Sequence, residues 1–425
     1  YEYCISETQS CSSSWINVGN QTSKKLVTPL DVSTTYYWQV RAKNSSIVTE
    51  ANDGIWWSFT TTPKTSIDVT IGADWMGNYE LDRGEEKRLY YNLSGGPMQV
   101  ESTDTTKIVS AIRLQSYVNS KLYSFVETMG VPEGLLSHKY YFPTYNNTWG
   151  PLNSQVRFSN LSAETTAIRV TIGGVNVWEQ DVPGLEERRL TFPLSGGPVV
   201  IESLDTSKKI VAAIRLQSYA NDTLYSFSET MGIPVEYVSH KYYFPTYNNT
   251  WAPLNSQIRF GNLESTSTRI RVTIGGVNVW EDDVPGLEER RLTFAVSGGP
   301  VVVESLDTNK KIVAAIRLQS YANDTLYSFL ETMGVPDGLL SHKYYFPTYN
   351  NTWAPLNSQV RFGNLNATTT RIRVTIGGVN VWEQDVPGLE ERRLTFPLSG
   401  GPVIIESLDT NKKIVAAIRL QSYAN

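Results

Sequence analysis

Along most of the chain, apolar and polar residues alternate with a period of two, and Gly, Pro, Asn or Asp interrupts the alternation at short intervals. In Ile270-Arg271-Val272-Thr273-Ile274 the branched apolar residues share one face and the polar ones the other, the pattern of a strand buried on one side. Ile312, Ala314, Ile316 and Leu318 likewise share a face, opposite Arg317 and Gln319, which predicts an antiparallel sheet with one wet side. Helical periodicity never persists beyond about two turns. In one representative stretch, strands are expected at 269–274, 290–294, 300–305, 311–319, 326–331, 342–346 and 358–362. Gly275-Gly276, Pro285-Gly286, Gly298-Gly299-Pro300 and Gly363-Asn364 provide turns between them.

This set of strands repeats. Ser239-His240-Lys241-Tyr242-Tyr243-Phe244-Pro245-Thr246-Tyr247-Asn248-Asn249-Thr250-Trp251 recurs from Ser137 and from Ser341, each time 102 residues away, which marks one folding unit in tandem. Ile67-Asp68-Val69-Thr70-Ile71-Gly72 likewise returns at Ile168, Ile270 and Ile372. Seven short strands in a unit of this size predict an immunoglobulin-like sandwich. The expected fold is therefore all-β: tandem immunoglobulin-like antiparallel β-sandwich domains in an extended array. The expected boundaries are 1–62, 67–162, 163–264, 265–366 and a partial 367–425. An alternative phase, with each unit opening at its His-Lys-Tyr-Tyr-Phe strand, stays open. Both ends fall inside patterned segments, so the chain reads as a portion of a longer array.

Residues 1–62 read as short strands of a different kind. The run from Leu30 through Tyr36-Tyr37-Trp38-Gln39-Val40-Arg41-Ala42 to Trp56-Trp57-Ser58-Phe59-Thr60-Thr61 resembles the second half of a fibronectin type III domain. That resemblance implies a partial sandwich in which Tyr36 forms a tyrosine corner. The repeat, with Lys-Tyr-Tyr-Phe-Pro-Thr-Tyr-Asn-Asn, Gln-Val-Arg-Phe-Gly-Asn, Ser-Gly-Gly-Pro-Val-Val-Val-Glu-Ser and Glu-Thr-Met-Gly-Val-Pro, is similar to modules of large secreted bacterial surface proteins. This second resemblance implies a location and an architecture, and no reaction.

A net charge of −5 over 425 residues, with Lys and Arg scattered beside Glu, argues against a nucleic-acid partner, which demands a concentrated basic face. The apolar runs are far too short for a membrane-spanning helix. Cys4 and Cys11 are the two cysteines; their short separation suits a disulfide across a strand pair, against the plainer reading of a reduced pair. Together with the Ser, Thr, Asn, Tyr and Trp content, this points to an extracellular or cell-surface setting.

Each candidate chemistry has a structural rival. One histidine per unit, His138, His240 and His342, cannot assemble a metal site or a triad within a unit, so no metal, no cofactor and no enzyme activity are expected. Glu288-Glu289-Arg290-Arg291 places neighbouring acids on opposite strand faces, which suits a solvated charge ladder with Arg271 and Arg317. The pairs Tyr145/Trp149, Tyr247/Trp251 and Tyr349/Trp353, beside amides, suit carbohydrate stacking, although core or domain-junction packing explains them as well. Asn146, Asn248 and Asn350, with Asn221 and Asn323, begin Asn-X-Ser/Thr triplets and are glycosylation candidates in expected loops.

Residues 239–323 and 341–425 differ at nine of 85 positions. Such uniformity favours a non-enzymatic extracellular structural protein, a stalk or the subunit of a surface filament or sheath that self-associates. The alternative is an adhesin or carbohydrate-binding array, in which weak sites gain through multivalency.

Overall fold

The computed structural model describes residues 1–422 apart from 12–14, 22, 24–29, 32–33, 45–46, 62–63, 119–120, 150–151, 221–222, 251–253, 323–324 and 353–355. The chain forms two compact units, one of residues 1–68, 78–85 and 101–106, the other of residues 69–77, 86–100 and 107–425. The architecture is all-β and sandwich-like, with antiparallel sheets throughout.

In the smaller unit, Thr35–Lys43 is the central strand. Glu2–Ser6 pairs along one of its edges, and Val48–Glu50 and Trp57–Thr60 share the other. Glu2 and Arg41 face each other across the ladder, and their side chains form an ion pair at 2.7 Å. Cys4 and Cys11 are joined by a disulfide, with the Cys4 side chain buried. The Tyr36 hydroxyl accepts the Asp31 N–H at 3.0 Å and pins the approach to the central strand.

In the larger unit, two sheets face each other in each complete repeat. One runs in the order Val175–Val182, Thr166–Ile172, Val199–Ser203, Lys139–Phe142, Ile233–Pro234. The other runs Glu187–Leu190, Asn153–Asn160, Ile210–Ala220, Thr223–Met231. Alternation does what the sequence implies: Ile168, Val170 and Ile172 point inward and meet Val156, Phe158, Ile201 and Ile214 in one core. Lys139–Phe142 lies between Val199–Ser203 and Ile233–Pro234, so all its partners are C-terminal to it. Strand pairing thus draws the boundaries at the His-Lys-Tyr-Tyr-Phe strand, not near 163, 265 and 367. The Ile-x-Val-Thr-Ile strand is an interior member of its sheet.

Below, block I denotes residues 69–77, 86–100 and 107–136, and blocks II, III and IV denote 137–238, 239–340 and 341–425. Block IV repeats the plan with, among the described residues, four strands in its first sheet and three, Glu391–Leu394, Leu356–Asn364 and Ile414–Ser422, in its second. Apart from two-residue strands such as Ser297–Gly298 and Val335–Pro336, one longer strand per block was absent from the sequence expectation: Val277–Val284 in block III and its equivalents. Gly275 and Gly276, at φ of 56° and 78°, form a two-residue hairpin loop ahead of it, a turn for which two positive-φ residues are required. The Glu and Asp residues in this strand hid it.

Candidate functional site

The residues singled out for binding serve the inside of each block. Tyr145, Tyr247 and Tyr349 have no exposed surface. The Tyr145 hydroxyl donates to the Ser154 carbonyl at 2.8 Å and accepts the Phe192 N–H at 2.7 Å and the Asn147 Nδ2 at 2.8 Å. Asn147 Nδ2 donates further to the Ser154 and Phe192 carbonyls. Tyr-Asn-Asn-Thr is thus a polar clamp that ties the first strands to the turn before Ser195, and it recurs at Tyr247 and Tyr349. Burial raises these phenols, Tyr145 and Tyr247 to about 12.

Three of the sequon asparagines belong to the same clamp, which corrects their reading as loop positions open to a glycan. Asn146, Asn248 and Asn350 are buried, and their Oδ1 atoms accept the hydroxyls of Ser195, Ser297 and Ser399 at 2.7–2.8 Å. A sugar on these amides would break the clamp. Asn221, Asn323, Trp251 and Trp353 lie outside the described residues. Trp149 is 40% exposed. The carbonyls of His138, His240 and His342 accept the N–H groups of Ser203, Ser305 and Ser407. No group of three or more His, Cys, Asp or Glu suited to a metal occurs among the described residues.

What the structure does assemble is a junction between blocks, and the sheet side expected to be wet is part of it. Arg317 is fully buried and Gln319 nearly so. Thr128 Oγ1 of block I donates to the Glu229 carbonyl of block II, and Thr230 Oγ1 of block II to the Glu331 carbonyl of block III, both at 2.9 Å. Ser228 Oγ accepts the Glu331 N–H at 3.0 Å, and Phe329 reaches the core of block II. The fourth strands of consecutive blocks therefore lie side by side, which takes their sheet's polar face out of water.

Burying that face requires the charges on it to be paired. Glu331 Oε2 lies 2.8 Å from Arg317 Nη2 and 3.8 Å from Arg259 Nε. In block II, Glu229 lies 2.7 Å from Arg215 and 3.6 Å from Arg157. Burial pushes the Arg259 guanidinium down to about 9; the Arg317 charge acts the same way and Glu331 opposes both. Arg271 pairs with Glu304. The expected surface ladder is thus two separate systems, one inside the junction.

The Glu-Glu-Arg-Arg turn supplies the rest. Leu185, Leu287 and Leu389 adopt φ of 56–57°, which costs a non-glycine residue on the order of 1 kcal/mol or more. The Leu287 side chain lies over Gly174 of block II, and Leu389 over Gly276 of block III, where an added Cβ would stand 2.6 and 2.7 Å away. Arg189 donates to Ser94 of block I and Arg393 to the Tyr247 carbonyl of block III. Arg88 of block I occupies the equivalent position and donates to Thr348 of block IV at 3.2 Å, while Glu86 lies against Gly401. The contact that joins each block to its predecessor therefore also joins block I to block IV, closing a cycle of four junctions. A shallow, largely apolar groove of about 480 Å³ opens at the block II and III junction, and a similar one, of about 470 Å³, at the next.

The periodicity of the junction residues was visible in the sequence, but nothing local distinguished a charged strand face that meets water from one that meets another block. Comparison with protein-family models and with curated proteins finds no match to this chain.

Proposed function

We propose that this chain is a non-enzymatic extracellular structural protein, a stalk or the subunit of a surface filament or sheath, whose assembling element is the block junction. The observation that carries this reading is the use of one contact, with equivalent residues, four times over. The polar motif that invited a binding role is spent on internal hydrogen bonds. The Cys4–Cys11 disulfide supports an oxidising, extracellular setting. The Tyr36 to Asp31 hydrogen bond supports the likeness of residues 1–62 to a fibronectin type III domain. The contact between blocks I and IV uses residues equivalent to those that join successive blocks, so the same contact made between chains would join one chain to the next.

Electron microscopy across a concentration series tests this. Fibres with a block-length repeat are expected, and Arg88→Glu should suppress them. Compact single-chain particles at every concentration would defeat the reading. A second reading, a carbohydrate-binding array, draws on the exposure of Trp149. A glycan array with Trp149→Ala separates the two: lost binding at unchanged stability would favour it.

A further inference from the structure

We infer that block I holds an open slot for one strand, between Ala111–Val118 and residues 86–89, and that the slot takes a strand of the pattern Asn-Ser-Gln-Val-Arg-Phe from a separate polypeptide. In block II that place is filled by Asn153–Asn160, which pairs on one side with Ile210–Ala220 and on the other with Glu187–Leu190. Leu254–Asn262 and Leu356–Asn364 fill it in blocks III and IV. Among the described residues, Ala111–Val118 pairs with Lys121–Met129 alone. Glu86-Lys87-Arg88-Leu89, the equivalent of Glu187–Leu190, is not a strand; a strand exists through its ladder, and this segment lacks the partner that would make one. The gap arises within the chain: one 102-residue period before Asn153–Asn160, positions 51–58 lie in the smaller unit and carry Ala51–Gly54 and part of Trp57–Thr60. The open edge of Ala111–Val118 presents its backbone donors and acceptors in one row, the template that β-augmentation uses.

Two further observations specify the occupant. The first is apolar cover. Ile112 is 40% exposed, whereas its equivalents Ile214 and Ile316 are 3% and 5% exposed. Those two stand opposite Val156 and Ile258 of the filling strand, so the slot selects a branched apolar residue at that place. The second is charge. Glu229 and Glu331 each have an arginine of their own hairpin and a second from the filling strand, Arg157 at 3.6 Å or Arg259 at 3.8 Å. Glu127 has the hairpin partner, Arg113 at 2.7 Å, and among the described residues no second ion pair. Burial pushes its carboxyl up, against the pull of Arg113 and Arg88. A strand that brings an arginine supplies the missing charge.

The register follows from block II, where Gln155 stands opposite Arg215, Val156 opposite Ile214 and Arg157 opposite Ala213. The incoming strand therefore runs antiparallel to Ala111–Val118, with its Gln opposite Arg113 and its Val opposite Ile112. Its Arg stands opposite Ala111, within reach of Glu127.

A synthetic peptide of residues 152–161, labelled and titrated into the intact chain, tests this. We expect 1:1 binding, with amide exchange slowed across Ala111–Val118 and residues 86–89, and about tenfold weaker binding of the peptide carrying Arg157→Glu. The chain variant Glu127→Gln should narrow the difference between the two peptides while still binding the first. Absent binding at about 100 micromolar peptide, equal binding of the two peptides to the parent chain, protection confined to other strands, or a slot already covered by a second copy that excludes the peptide would each overturn the inference.

Discussion

Replacing Glu331 with Gln keeps the shape of the side chain and removes one charge from between two buried guanidinium groups. Arg317 is fully buried, Arg259 is 2% exposed, and Glu331 Oε2 is 2.8 Å from the first and 3.8 Å from the second. Removing one partner of a buried pair costs about 3–5 kcal/mol, because the other charge stays out of water without compensation. Here two arginines are left, and their mutual repulsion is no longer offset, so the upper part of that range is expected. Glu229→Gln is the internal control. It occupies the same position in block II, but Arg215, Arg157 and Glu229 keep 16–18% of their side-chain surface exposed, and partial solvation should hold its cost to about 1–2 kcal/mol. Native-state hydrogen exchange resolved to the two strand pairs, Ile312–Ala322 with Thr325–Met333 and Ile210–Ala220 with Thr223–Met231, reads each opening free energy without assuming that the chain unfolds in one step. Equal losses in the two variants, or a loss below about 1 kcal/mol for Glu331→Gln, would refute the claim that burial at the junction sets the strength of this network.

Three further outcomes are expected. Tyr247→Phe orphans the Phe294 N–H, while the Ser256 carbonyl and the Asn249 amide lose one bond each but keep their bond to one another; a loss of about 1–3 kcal/mol, read as faster exchange at Leu254–Asn262, is expected. The Glu304 carboxyl is held below its ordinary range: burial pushes it up, but Lys241 and Arg271 together pull it further down. Its folded pKa is thus below its unfolded one, so its contribution is present above the ordinary carboxylate range and is lost as pH falls through the folded value. Acid titration of Glu304→Gln should show a shallower loss of block III stability than the parent chain. Cys4→Ser with Cys11→Ser opens a loop of seven-residue separation and should lower the stability of the smaller unit by about 2.5 kcal/mol, measured by denaturation of the oxidised and variant chains; no change would mean that the bridge bears no constraint.

The strands that the sequence announced are those whose two faces differ. Ile270, Val272 and Ile274 alternate with polar residues because one side meets a core, and that difference survives in the residue types whatever lies further away. Val277–Val284 escaped notice because much of it is exposed and carries acids, so its alternation is weak, although Gly275-Gly276 ahead of it was a usable hairpin signal. The Tyr-Asn-Asn-Thr motif was seen and given a ligand-binding reading alongside packing, since an amide beside an aromatic ring looks the same whether it faces a sugar or a carbonyl of its own chain.

By itself the sequence determined the period, the strand class and the inward faces, because hydrophobic alternation and turn chemistry act over a few neighbouring residues. Only the tertiary structure decided that Arg317 and Gln319 are buried, that Asn248 is a clamp, and that the contact joining successive blocks also joins block I to block IV. Those outcomes depend on which surface lies opposite, at separations of 100 residues or more, and a repeated sequence presents the same surface to every such partner.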